Sequence, residues 1–130
     1  MNRWVPVLAA TCLGVSGCRV ADLSPAETVK EYEDDVSRGK AGQAKSLLTA
    51  KEAGNANTLF ADVRAEEHNR LKEGIASEQR STETTGVSAR VVVVYLMKDS
   101  LRRTYTWELV REEGSWRINN WEVEVAGGPQ

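Results

Sequence analysis

The sequence predicts an α+β fold, with two to three N-terminal helices packed on an antiparallel sheet of about four strands. Three observations carry this prediction. Apolar residues recur at helical spacing up to about residue 73, and from about residue 75 they recur at every second position. The β-rich stretches are joined by connections short enough for antiparallel hairpins, Lys98-Asp99-Ser100 and Glu112-Glu113-Gly114-Ser115. A chain of 130 residues that is 41% hydrophobic can build one domain with a modest core. The formal charge is −2, and removal of residues 1–17, which hold one Arg and no acid, would leave −3. That balance excludes the basic surface a nucleic-acid binder needs to neutralise phosphates.

Residues 1–17 read as a targeting segment. Arg3 supplies a positive start, and the twelve residues from Trp4 to Val15 supply an apolar stretch ending in small side chains. A spanning helix would need about 20 apolar residues, and Pro6 interrupts this one. Val15-Ser16-Gly17-Cys18 resembles the bacterial lipobox, an aliphatic residue and two small ones before Cys, recognised by the lipoprotein signal peptidase. The resemblance implies that the Cys18 thiol is alkylated with diacylglycerol, that the chain is cut before it, and that the new amino group is acylated. Cys12 would leave with the signal, so the mature domain would hold no free thiol. Several acyl chains anchor a protein to a bilayer without spanning it. The segments are therefore 1–17 signal peptide, 18–23 lipidated N-terminus and tether, 24–125 folded domain and 126–130 flexible tail.

The first helix is announced by Ser24 as N-cap, Pro25 at the first helical position and Glu27 three residues on. Val29, Tyr32 and Val36 give it one apolar face, and Gly39 suits a left-handed stop. Lys30, Asp34 and Arg38 form a charged ladder on the opposite face, while Glu27, Glu31 and Asp35 form an acidic stripe expected to be solvated. Ala41, Ala44, Leu47 and Leu48 predict a second, short helix packing back on the first. Residues 51–57 read as a loop, and 58–73 as a third helix with Leu59, Phe60, Val63 and Leu71 apolar.

Residues 75–85 form a polar, Thr-rich edge strand, and residues 88–97 a run of β-branched and aromatic side chains. Residues 101–112 and 115–125 alternate. In the third strand Leu101, Tyr105, Trp107 and Leu109 share the face that meets the helices, and Thr104, Thr106, Glu108 and Val110 share the other. Trp116 and Ile118 continue the buried face. Trp121 has the opposite parity, so either a bulge near Asn119-Asn120 turns it inward or it lies exposed.

Residues 24–48 resemble the opening of small bacterial lipoproteins of the nuclear transport factor 2-like (cystatin-like) superfamily: a helix, a Gly, then a short helix bearing Ala and Leu. Residues 107–123 resemble the closing hairpin of that family, with Gly114 before Trp116-Arg117-Ile118; Lys40 stands where its usual acidic residue follows the Gly. The resemblance covers most of 24–125. It implies a sheet curved round a helix into a cone that can hold a ligand, and it includes enzymes such as ketosteroid isomerases, whose chemistry needs an acid or base inside the cone.

The inward positions read from the sequence, Tyr105, Trp107, Leu109, Trp116 and Ile118, carry no such group. Glu108 faces the other way and Asp99 lies in a turn. His68 is the only histidine, has Arg64 and Lys72 four residues away on either side, and reads as a surface residue. No catalytic residue, metal site or cofactor is expected, since neither a metal-ligand set nor a phosphate loop is present in the sequence. The expected function is a lipid-anchored, non-catalytic binding or interaction domain of the bacterial envelope. In the lipoproteins it resembles, an Asp after the lipidated Cys favours inner-membrane retention, so the resemblance, with Arg19 there instead, implies the outer membrane over the inner. Tyr105, Trp107, Trp116 and Trp121 are the candidate ligand-binding residues, and an apolar small molecule or an envelope protein is the candidate partner. The alternatives are an isomerase- or dehydratase-like enzyme, for which a carboxylate should line the cone, and an inhibitor or immunity-type lipoprotein with an apolar patch around Trp121.

Overall fold

A computed structural model describes residues 23–127. The signal peptide, the lipidation of Cys18 and almost all of the tether lie outside the described residues.

Helix α1, Pro25–Ser37, starts where the sequence predicts. The Ser24 hydroxyl accepts the Glu27 N–H at 3.1 Å, and the Glu27 carboxylate accepts the Ser24 N–H at 2.9 Å. This reciprocal box satisfies two of the amide donors that a helix start leaves unpaired. Val29, Tyr32 and Val36 are fully buried. Gly39 stops the helix with φ +71°, a conformation that disfavours any Cβ, and a Cβ there would also meet the Arg64 guanidinium at 3.1 Å.

Helix α2, Ala41–Lys45, follows; Lys40 at its start offers no side-chain cap. A further helix, α3, Ala50–Ala53, runs into the segment 51–57 expected as a loop. The missed signal is Thr49-Ala50-Lys51-Glu52, a capping pattern in which the Thr49 hydroxyl accepts the Glu52 N–H at 3.2 Å. Helix α4, Ala56–Glu73, begins two residues earlier than expected. Its buried residues are Leu59, Val63, Glu67 and Arg70. Leu71, one of the four apolar residues noted in this helix, is 67% exposed, because it sits one residue, about 100°, past Arg70 on the helix.

The strands are β1, Ile75–Thr85, β2, Ser88–Met97, β3, Leu101–Glu112, and β4, Ser115–Gly127. They pair antiparallel in the order β1-β2-β3-β4, an open meander with β1 and β4 at its edges. β4 runs through Ala126 and Gly127, two positions past the expected end of the domain, because Leu101 and Arg102 pair with Gly127 and Ala126.

Parity on β3 is as predicted: Tyr105, Trp107 and Leu109 are buried among the residues of the helices. Between β3 and β4 the register shifts, with Glu108 opposite Asn120 but Leu109 opposite Ile118, so Asn119 is the extra residue of a bulge. The bulge reverses parity and turns Trp121 inward opposite Trp107. Residues 47–49 lie against the same point: Ile118 donates its N–H to the Leu47 carbonyl at 2.9 Å, Thr49 donates its own to the Ile118 carbonyl at 3.0 Å, and the Thr49 hydroxyl donates to Asn119 Oδ1 at 3.1 Å.

Candidate functional site

The concave face of the sheet is filled from two directions. Tyr32 of α1 meets Trp107 edge-on at 5.8 Å between ring centres, and Trp121 lies 5.9 Å from Trp107 and 6.4 Å from Tyr105. Three of the four candidate binding residues, Tyr105, Trp107 and Trp121, therefore share one aromatic cluster. Tyr105 and Trp107 are buried in it, and Trp121 is half-buried. Trp116 belongs to the same core but is separately engaged, with the Arg111 guanidinium 4.9 Å from its ring.

Charged side chains that the sequence analysis gave no role complete the face. Arg80 on β1 reaches Glu33 of α1 at 2.8 Å and the Tyr95 hydroxyl at 3.2 Å. Arg70 of α4 lies over the Tyr95 ring at 4.4 Å and the Tyr105 ring at 5.6 Å. Arg103 on β3 grips Glu66 and Glu73 of α4. α4 offers few apolar residues to the sheet, so ion pairs and cation–π contacts hold its C-terminal half in place. Arg103 shares parity with Tyr105 and Trp107, which was the readable signal for its burial. Glu33 and Glu67 sit on helix positions next to apolar ones, a weaker signal. Asp35, expected on a solvated stripe, is also buried.

Burial and ion pairing shift these groups in opposite directions. It pushes the Glu67 carboxyl above the usual carboxylate range, with Arg70 pulling it back and Glu33 and Asp34 adding to the rise. Glu33 is likewise raised by burial against the pull of Arg80. The Tyr105 hydroxyl is pushed up to about 12 by burial. Glu73 goes the other way, held below the usual range by the hydrogen bond from Arg103.

Two concavities adjoin this interior. A cleft of about 140 Å³ between α1 and α4 is lined by Ser37, Arg64, Glu67, His68 and Leu71. His68 is exposed on its rim, and one oxygen of Glu67 is buried with no hydrogen-bond partner. A second cavity, of about 190 Å³, opens among the four helices, with Tyr32, Leu48 and Phe60 against the core and the small residues Gly42, Ala44 and Ala53 around it. The Tyr32 hydroxyl is buried without a partner. Burial raises its pKa, and the charge of the Glu52 carboxylate adds to the rise.

The crystal structure of an NTF2-like transpeptidase from Campylobacter jejuni superposes on this chain with a TM-score of 0.55, at 14% identity, over 75% of this chain and 99% of that one. A DUF4783 family protein from Bacteroides ovatus superposes with a TM-score of 0.50, at 7% identity, over 75% and 94%. The fold is NTF2-like. Identities this low establish the NTF2-like architecture and nothing of the chemistry. No protein-family model matches the sequence, and no curated protein matches it. Within this NTF2-like frame the cone is occupied by the chain's own aromatic and ionic side chains, and open volume lies between the helices.

Proposed function

We propose that the chain is a lipid-anchored, non-catalytic binding domain of the bacterial envelope, held through Cys18 at the outer membrane. The observation that carries this reading is the state of the cone: Trp107 packs against Tyr32 on one side and Trp121 on the other, where a substrate would sit. The carboxylates nearby are engaged by arginines, Glu33 by Arg80, and Glu66 and Glu73 by Arg103. Binding then falls to surfaces outside the cone. Anchoring rests on the lipobox-like Val15-Ser16-Gly17-Cys18.

The test is labelling of cells with a fatty-acid analogue. The natural chain should take up label and fractionate with the outer membrane, and Cys18→Ser should do neither. Unchanged labelling of Cys18→Ser would overturn the anchor.

One observation favours a second reading, an acid–base enzyme: Glu67 lines a cleft beside His68 with a carboxyl raised by burial. Turnover of any substrate that is lost in Glu67→Gln with the fold intact would establish it in place of the binder.

A further inference from the structure

We infer that the edge of β4 beyond its bulge, at Trp121, Val123 and Val125, is a docking site for an extended segment of a partner protein that alternates apolar and basic side chains. This inference rests on the reading of the domain as a binder and says where and what it binds.

The direction of the backbone comes first. Ile118 donates its N–H to the Leu47 carbonyl and its own carbonyl accepts from Thr49, so its hydrogen-bonding groups point away from β3, toward the open edge. Along a strand, side-chain face and hydrogen-bond direction alternate together. The bulge brings Trp121, Val123 and Val125 to the inward face that Ile118 occupies, so their N–H and C=O groups point to the same edge. Among the described residues nothing pairs with those groups. Residues 47–49 cover the edge only at Ile118, and they do so by this same kind of pairing.

Side chains then define what fits. Trp121 and Val123 are half-buried and Val125 is 47% exposed, which leaves an apolar strip along the inner side of the edge. On the outer side Glu122 and Glu124 are exposed and make no ion pair among the described residues. With Thr104 and Thr106 they line a concavity of about 330 Å³. A strand added here sets alternate side chains against the apolar strip and the others against the glutamates, so the first set should be apolar and the second Lys or Arg. A second copy fits badly: antiparallel pairing of two β4 edges about Val123 would put Glu122 opposite Glu124 on both sides of the centre. The β1 edge is guarded instead, because Glu78 and Arg80 stand on its inner side, paired with each other and, through Arg80, with Glu33.

The probe is the end-blocked peptide Lys-Val-Lys-Val-Lys-Val-Lys, with a Glu-for-Lys peptide reversing the charge and a Ser-for-Val peptide lacking the apolar side chains. Each is titrated into the full chain in neutral detergent and read by amide hydrogen exchange. The Lys-Val peptide should bind saturably and slow exchange at the Trp121, Val123 and Val125 amides, and the other two should bind more weakly. Glu122→Lys combined with Glu124→Lys should weaken the Lys-Val peptide about tenfold and strengthen the Glu-Val one. Both positions are exposed, so this variant should fold. Absence of saturable protection at the Trp121, Val123 and Val125 amides, or unchanged affinity after the charge reversal, would overturn the site. Protection of those amides that rises with protein concentration in the absence of peptide would assign the edge to a second copy and overturn the partner. Protection independent of both concentration and peptide would overturn it too, since the edge would then be covered by the chain itself. Failure of the peptide with Cys18 labelling intact defeats this inference alone, while Glu67-dependent turnover defeats the binder reading and leaves the titration standing.

Discussion

Replacing Tyr32 with Phe should make the domain more stable, although it deletes a polar atom from a fully buried side chain. The hydroxyl has no hydrogen-bond partner, so folding strips it of water and returns nothing. A buried unsatisfied donor costs about 1–3 kcal/mol. Phe keeps the ring, and with it the edge contact to Trp107 at 5.8 Å. What is lost is the volume of one oxygen, roughly 15 Å³, which at about 24 cal/mol per Å³ of residual cavity amounts to about 0.4 kcal/mol. The net gain is about 0.5–2.5 kcal/mol, or a rise in melting temperature of several degrees at about 4–8 °C per kcal/mol for a domain of this size. Urea unfolding followed by tryptophan fluorescence measures it directly, since Trp107 reports the neighbourhood and is unchanged. A loss of about 1 kcal/mol or more would refute the reasoning, for it would mean the hydroxyl has a strong partner in the folded protein.

Other perturbations test the rest of the packing. Trp107→Ala should cost about 3–5 kcal/mol in urea unfolding, because the ring is buried against both Tyr32 and Trp121; a loss below about 1 kcal/mol would show that the aromatic cluster is not the core. Glu67 and Glu33 bind protons more tightly folded than unfolded, so stability should fall as pH rises from the ordinary Glu value, about 4.3, toward neutrality. Glu67→Gln should flatten that fall, and an unchanged pH slope would show that Glu67 is not burdened by burial. Glu73 has the opposite sign: its contribution is present above the ordinary Glu range and is lost as pH drops through its lowered native value. Arg103→Met should speed hydrogen exchange of amides in residues 66–73 while Val91 and Val93 stay protected; uniform protection throughout would show that α4 does not depend on its ion pairs.

Much of this fold is written in short-range chemistry. Ser24, Pro25 and Glu27 mark a helix start whatever else the chain does, because they satisfy backbone donors within their own first turn. Gly39 stops that helix with a positive φ that any other residue would adopt at a cost. The limits of β1, β2 and β3 follow from β-branched runs and turn residues, and the inward face of β3 follows from parity alone. Trp121 shows where such reasoning stops. Parity placed it outside unless a bulge intervened, and the bulge at Asn119 is stabilised by Thr49, some seventy residues earlier in the chain. The helices show the same limit. Arg70 and Arg103 are polar in any local pattern, yet they are buried, because the Tyr95 and Tyr105 rings of β2 and β3 receive Arg70 and the Glu66 and Glu73 carboxylates of α4 receive Arg103. Leu71 is exposed because those charges occupy the stripe that faces the sheet. The Tyr32 cavity likewise needs four helices at once, and its small wall residues have no signature of their own. Local propensity and alternation thus determined the elements and their faces; the bulge, the charged clasp and the cavity were decided only when distant segments met, because the energy of a buried polar group depends on what stands opposite it.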